Sequence, residues 1–174
     1  GKGQVVDAAM VDGATSLMTM FYGMSAGGAW QDQRGRNLLD GGAPFYDTYA
    51  CADGGYLAVG ALEPQFFAEL ISVLELPDAP GQWDVARWPE QRALLTETFL
   101  TRTRDAWAQL VEGRPACITA VLSQTEAREH PPTPALRCLL DIDGVAQPAA
   151  SPRSSRRCPD RRPAAAAVAP DTLE

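Results

Sequence analysis

The chain has 174 residues, of which 45% are apolar and 21% are charged. This length fits one domain, or a core with an appendage, and excludes a large multidomain protein. The composition is close to that of soluble globular proteins and argues against global disorder. Fifteen basic residues against twenty-two acidic ones give a net charge of −7, which argues against nucleic acid as a partner.

The sequence also indicates a soluble, cytoplasmic chain. No stretch is apolar for the roughly 18 residues that a membrane span needs, and the first residues lack the apolar core of a signal peptide. The four cysteines form no C-x-x-C pair and have no histidine at zinc-ligand spacing. We therefore expect reduced, structural thiols and no metal site at Cys51, Cys117, Cys138 and Cys158.

The first element is a helix over residues 5–24. Its apolar side chains recur every three, four or seven residues, and small residues occupy the other faces, which is typical of a well-buried helix. A glycine-rich loop follows over residues 31–44. Residues 45–51 and 56–61 predict a β-hairpin, because the intervening Ala-Asp-Gly-Gly supplies turn residues.

The remaining elements are mostly marked by prolines and capping residues. We predict helices from Pro64 to about residue 75, from Pro89, and after the N-cap Thr103. A strand over residues 116–122 precedes a short helix with a capping box of Ser123 and Glu126. A last strand covers residues 138–142. Residues 151–174 are rich in Pro, Ala and Arg. We predict that this basic tail is disordered, or ordered only when docked on a partner, rather than a nucleic-acid binder.

Generic catalytic motifs are absent. The sequence has no P-loop, no G-x-G-x-x-G after a strand and no G-x-S-x-G, and the only histidine, His130, lies in a predicted turn before two prolines. Glu63 is the best candidate, since it stands where a strand ends and a helix begins, and such junctions expose side chains in crevices. The alternative is structural, because carboxylates are common in first helical turns.

Three stretches resemble a known family. They read GQVVDAAMVDG at residues 3–13, RGRNLLDGGAPFYDTY at residues 34–49 and ADGGYLAVGALEPQFF at residues 52–67. They are similar to the alpha-methylacyl-CoA racemase branch of the class III CoA-transferase superfamily. The resemblance implies an α+β fold with short antiparallel strands: a connecting helix and loop over residues 1–37, the family's small domain over 38–135 and a return segment over 136–150.

The resemblance implies epimerisation of a 2-methylacyl-CoA thioester through an enolate, with two bases, no metal and no cofactor beyond the CoA of the substrate. Glu63 falls on the glutamate of the family's G-A-x-E-P-Q-F motif, which pairs with a catalytic histidine. Tyr46 and Leu62 fall on positions that line the acyl pocket. We also assign Asp40 and Gly41 of the same motif region to substrate binding.

Family members are substantially longer, and the extra N-terminal part carries their catalytic aspartate and histidine. They form interlocked homodimers, with each active site between two chains. We therefore expect exposed apolar surface and self-association in this chain. Three functions stay open: part of a racemase, a CoA-transferase relative that would form a mixed anhydride, or a non-catalytic fragment that folds or pairs with a homologous chain.

Overall fold

The computed structural model describes residues 1–130 and 138–151 and confirms the α+β class with short antiparallel strands. Within those residues the helices are α1 (Met10–Leu17), α2 (Thr19–Ala26), α3 (Pro64–Val73), α4 (Trp88–Phe99), α5 (Arg104–Val111) and α6 (Gln124–Glu129). The strands are β1 (Tyr46–Ala50), β2 (Tyr56–Gly60), β3 (Ile118–Val121), β4 (Leu139–Ile142) and β5 (Val145–Pro148). No helix of the described part is long and apolar enough to cross a membrane.

The chain divides into two compact units, residues 1–121 and 122–174. The first unit contains a three-stranded antiparallel sheet in the order β1-β2-β3. Tyr46 lies opposite Gly60 and Thr48 opposite Ala58, which in turn pairs with Thr119 on β3. The predicted hairpin is thus confirmed, and β2 is the central strand.

The two faces of this sheet have different environments. Because side chains alternate along a strand, Tyr49, Leu57 and Val59 point to one face, where all three are buried. There they join the main apolar core with residues from the helices, including Leu70, Leu95, Phe99 and Trp107. The opposite face carries Tyr46 and Tyr56, which are exposed. No helix of the first unit therefore covers that outer face fully.

Helices α3, α4 and α5 begin where the sequence predicts. Pro64 and Pro89 lie in the first turns of α3 and α4, where a missing N–H costs no hydrogen bond. Thr103 caps α5, since its hydroxyl accepts the N–H of Ala106 at 3.2 Å. Each of these helices contributes at least one side chain to the buried cluster that also contains the inner-face residues of the sheet.

The N-terminal helix differs from its prediction. It starts at Met10 rather than near residue 5 and is divided at Met18, whose ψ of 0° separates α1 from α2. The predicted burial is wrong for this chain: Met10 is 92% exposed and Leu17 is 83% exposed. The periodicity identified the apolar stripe, but no described residue of the chain packs on it enough to bury it.

The second unit begins with α6, whose capping box is confirmed. The hydroxyl of Ser123 accepts the N–H of Glu126, and the Glu126 carboxylate accepts the N–H of Ser123. The predicted last strand is β4, and β5, which was not predicted, pairs with it after the turn at Gly144. The domain boundaries at residues 37, 135 and 150 stay predictions, and the tail lies outside the described residues except for Ser151.

Candidate active site

Glu63 occupies the junction between β2 and α3. It is the N-cap residue of α3, with extended backbone angles of φ −76° and ψ 142°. Its carbonyl accepts the N–H groups of Phe66 and Phe67, each at 3.0 Å, but its side chain makes no capping bond. The side chain is exposed. A carboxylate that served only the helix would bond to the first-turn N–H groups, so this geometry leaves the carboxylate available to another group.

A groove of about 490 Å³ crosses the outer face of the sheet beside this junction. Small residues of the central strand, Ala58 and Gly60, form its floor. Tyr46 borders it on β1, and its ring lies 4.0 Å from the position that a Cβ on Gly60 would take. Cys117 borders it on the other side. The groove is therefore a shallow apolar trough along β2, open to solvent.

Cys117 connects the groove to Glu63. Its carbonyl accepts the N–H of Gly60 at 2.9 Å, which places the thiol near the end of β2. Partial burial raises the pKa of the Cys117 thiol, and the negative charge of Glu63 raises it further. Cys117 also has a positive φ of 51°, which is uncommon for a residue with a side chain. Glu63 itself does not line the groove, but it follows the groove residue Gly60 by three positions, and its charge is felt at Cys117.

The carboxylate of Asp40 is used within its own loop. It accepts the N–H groups of Gly35, Asn37 and Gly42 and the side-chain amide of Asn37. Burial opposes ionisation, but these hydrogen bonds outweigh it and hold the pKa of Asp40 below its usual value. The loop is tight: a Cβ on Gly42 would lie 2.5 Å from the Asn37 carbonyl oxygen, so only glycine fits. Asp40 therefore has a structural function in any case.

Gly41 is held to the sheet through Arg92 of α4. Arg92 donates to the carbonyl oxygens of Gly41 at 2.6 Å and Gly42 at 3.3 Å, and it pairs with Asp47 of β1. Gly41 itself has a φ of +88°, which favours glycine. Since Asp47 also borders the groove, this network fixes the loop against one side of it.

The structure thus brings some of the predicted site residues together. Tyr46 lines the groove and Glu63 follows the groove residue Gly60 by three positions, whereas Leu62 packs partly buried against the core. Asp40 and Gly41 lie in the adjoining loop, and their contact with substrate stays a prediction. Sequence reasoning missed Gly60 and Cys117 as groove residues, although a glycine in a strand, here the last residue of β2, is a signal of close approach by another group.

Among the described residues, no group of three or more His, Cys, Asp or Glu side chains could hold a metal ion. Similarly, within the part of the chain that the structure covers, the Glu63 carboxylate has neither a hydrogen bond nor an ion pair. A base that Glu63 would orient is therefore not supplied by residues 1–130 or 138–151.

The chain has relatives among curated proteins. The chain is 44% identical over 132 residues to the alpha-methylacyl-CoA racemase of Mus musculus and 43% identical to that of Homo sapiens. Each match covers 75% of this chain but 35% of the relative, so the chain spans about a third of the length of these curated relatives. It is also 31% identical to a CaiB/baiF CoA-transferase family protein of Caenorhabditis elegans.

The fold has relatives among solved structures. The crystal structure of Rv3272 from Mycobacterium tuberculosis superposes with a TM-score of 0.63 at 19% identity, covering 87% of this chain and 40% of that one. The D175A mutant of the same protein gives a TM-score of 0.61. The model of the family described as CoA-transferase family III matches residues 1–172. The predicted resemblance is confirmed, and the chain belongs to CoA-transferase family III.

Proposed function

We propose that the chain forms part of the active site of a 2-methylacyl-CoA epimerase of the alpha-methylacyl-CoA racemase type. The observation that carries this proposal is the exposed, unbonded carboxylate of Glu63 beside an apolar groove. It is supported by the 43–44% identity to the racemases. The 2-methyl group and acyl chain would lie in the groove, against Tyr46 and Gly60.

In the proposed reaction, a base removes the α proton of the thioester and a proton returns to either face of the planar enolate. Glu63 would orient an imidazole base and stabilise its protonated form, as a carboxylate does in other enzymes. That base would come from outside the described residues or from a second chain, as in an interlocked dimer. No cofactor is needed beyond the CoA of the substrate, because the thioester carbonyl itself acidifies the α position.

A CoA-transferase reaction is the second candidate, favoured by the similarity to the CaiB/baiF family protein. It requires a carboxylate that attacks the thioester and forms a mixed anhydride, with release of the CoA thiolate. Hydroxylamine added to a turnover mixture would trap this anhydride as a protein hydroxamate. An epimerase forms none.

The test of the epimerase is exchange of the α proton in deuterated water, followed by NMR on a 2-methylacyl-CoA. The chain by itself should give no exchange above a protein-free control. Mixed with a full-length family member whose own motif glutamate is replaced by glutamine, it should restore exchange, and Glu63→Gln should not. Equal rates with wild-type and Glu63→Gln chains would contradict the proposed role of Glu63.

A further inference from the structure

The backbone that leads into Glu63 receives hydrogen bonds from one buried side chain. Nε2 of Gln82 donates to the carbonyl oxygens of Ala61 at 3.1 Å and of Leu62 at 2.8 Å. Gln82 is 7% exposed and lies 20 residues further along the chain. Because both neighbours are carbonyl oxygens, only the nitrogen of the amide satisfies them, which fixes the orientation of the side chain.

The rest of this junction is bonded through its own backbone. The N–H of Ala61 donates to Phe45 at 3.0 Å, and that of Leu62 donates to Gly60 at 3.0 Å. Within the described part of the chain, Gln82 is the one side chain that bonds to the backbone of residues 60–63. Without it the two carbonyls lose this donor, and the carbonyl of the fully buried Ala61 is left unpaired away from solvent.

Gln82 is itself held in place by an aromatic residue of α4. Nε1 of Trp88 donates to the carbonyl oxygen of Gln82 at 2.9 Å. The Trp88 ring packs edge-on against Phe45, with 5.9 Å between ring centroids, and Phe45 is fully buried. A continuous series of contacts therefore runs from the core through Trp88 and Gln82 to the residues that precede Glu63.

We propose that Gln82 is a positioning residue, whose amide holds the Ala61 and Leu62 carbonyls so that the Glu63 carboxylate stays at the end of the groove. The catalytic importance of where Glu63 lies rests on the proposed function, whereas the hydrogen bonds of Gln82 are independent of it. Removal of the donor lets residues 61–63 shift, and Glu63 moves relative to Cys117, which precedes β3. A loss of the interaction between these two side chains is the direct consequence.

Alkylation of Cys117 by iodoacetamide measures that interaction. The thiolate is the reacting species, so removal of the nearby negative charge in Glu63→Gln should speed alkylation below the thiol pKa by about twofold. Mass spectrometry of the Cys117 peptide separates this signal from the other cysteines. Gln82→Met keeps the side-chain length but has no hydrogen-bond donor. In this background, adding Glu63→Gln should change the rate of Cys117 alkylation much less than it does in the wild-type chain.

The matched control is Gln91→Met. Gln91 is also buried and also donates to a carbonyl, that of Pro80 at 2.9 Å, but its amide makes no hydrogen bond to residues 60–63. This variant should keep the twofold response. A full response in Gln82→Met, or an equal loss in both variants, would overturn the proposal. If Gln82→Met fails to fold, Gln82→Asn replaces it, because it keeps the amide on a shorter side chain. This variant should lose part of the alkylation response, and a full response would equally count against the proposal.

The experiment uses this chain without substrate, so its result does not depend on activity. Suppose that the alkylation response to Glu63→Gln is lost in Gln82→Met and kept in Gln91→Met, but that α-proton exchange is not restored. The epimerase would then be rejected, and the role of Gln82 would stand. Restored exchange together with a full alkylation response in Gln82→Met would support the epimerase and reject the role of Gln82.

Discussion

The carboxylate of Asp40 shows how one residue can fix the loop beside the groove. It accepts hydrogen bonds from three backbone N–H groups and from Asn37, while Arg92 holds the neighbouring Gly41 carbonyl. These bonds need the ionised carboxylate, since protonation converts one acceptor oxygen to a donor. The stability of this loop therefore depends on pH.

We predict that this dependence appears on the acid side. Burial by itself would raise the pKa of Asp40, but the hydrogen bonds from Asn37, Gly35 and Gly42 outweigh it, so the pKa in the folded chain is lower than the usual 3.8. The folded state thus binds fewer protons, so the stabilisation is complete above pH 3.8 and is lost as the pH falls through the lower, folded value. Asp40→Asn should be less stable than wild type at pH 7, and the gap should narrow below pH 3.8.

Urea unfolding at a series of pH values measures this difference. Asp12→Asn, at an exposed position of α1, removes the same charge without these hydrogen bonds and serves as the control. Parallel curves for wild type and Asp40→Asn through the acid range would show that the carboxylate does not hold the loop.

At the level of elements, capping residues determine where the helices begin. We predict that Thr103→Ala lowers the free energy of unfolding by about 1 kcal/mol, because the Ala106 N–H loses its acceptor. Thr103→Ser keeps a hydroxyl, so its free energy of unfolding should fall by no more than about half as much as that of Thr103→Ala. Urea midpoints of the three chains give the comparison, and an unchanged midpoint in Thr103→Ala would mean that α5 does not need its cap.

Local signals also explain which elements the sequence predicts correctly. The hairpin turn, Pro64 and the Ser123 capping box act within a few residues, and each was recognised from the amino acids alone. The contacts of the site join distant parts of the chain, such as Arg92 with Asp47 and Gln82 with Leu62. No spacing rule indicates such pairs, so the groove and its supporting residues required the structure.

The burial of the N-terminal helix could not be read from its pattern for a similar reason. An apolar stripe shows that a helix can pack, but not which surface it packs on. In this chain Met10 and Leu17 are exposed. Strand β5 was not predicted for a different reason, because a four-residue strand with a proline at its end gives little signal.

For the whole molecule, this exposed stripe predicts self-association. Val5 is 95% exposed and Val6 is 76% exposed, in addition to the apolar residues of α1. An apolar surface of this extent is typical of an interface. At micromolar concentration we expect a light-scattering mass above the 18.6 kDa of one chain, and a lower mass for the double variant Met10→Lys, Leu17→Lys.

Asp12→Lys, on the same helix, controls for the added charge and should leave the association in place. A sharp peak at the mass of one chain for the wild type would contradict this prediction. It would mean that the exposed side chains do not form an interface.

The central claim is that the groove beside Glu63 holds the acyl part of a 2-methylacyl-CoA, and protection of Cys117 from alkylation tests it most directly. The thioester should slow alkylation of Cys117, whereas CoA alone should not. Gly60→Val, whose Cβ meets only the Tyr46 ring at 4.0 Å, should fold and abolish the protection by filling the groove. No protection by the thioester, or equal protection by CoA alone, would contradict the assignment of this groove.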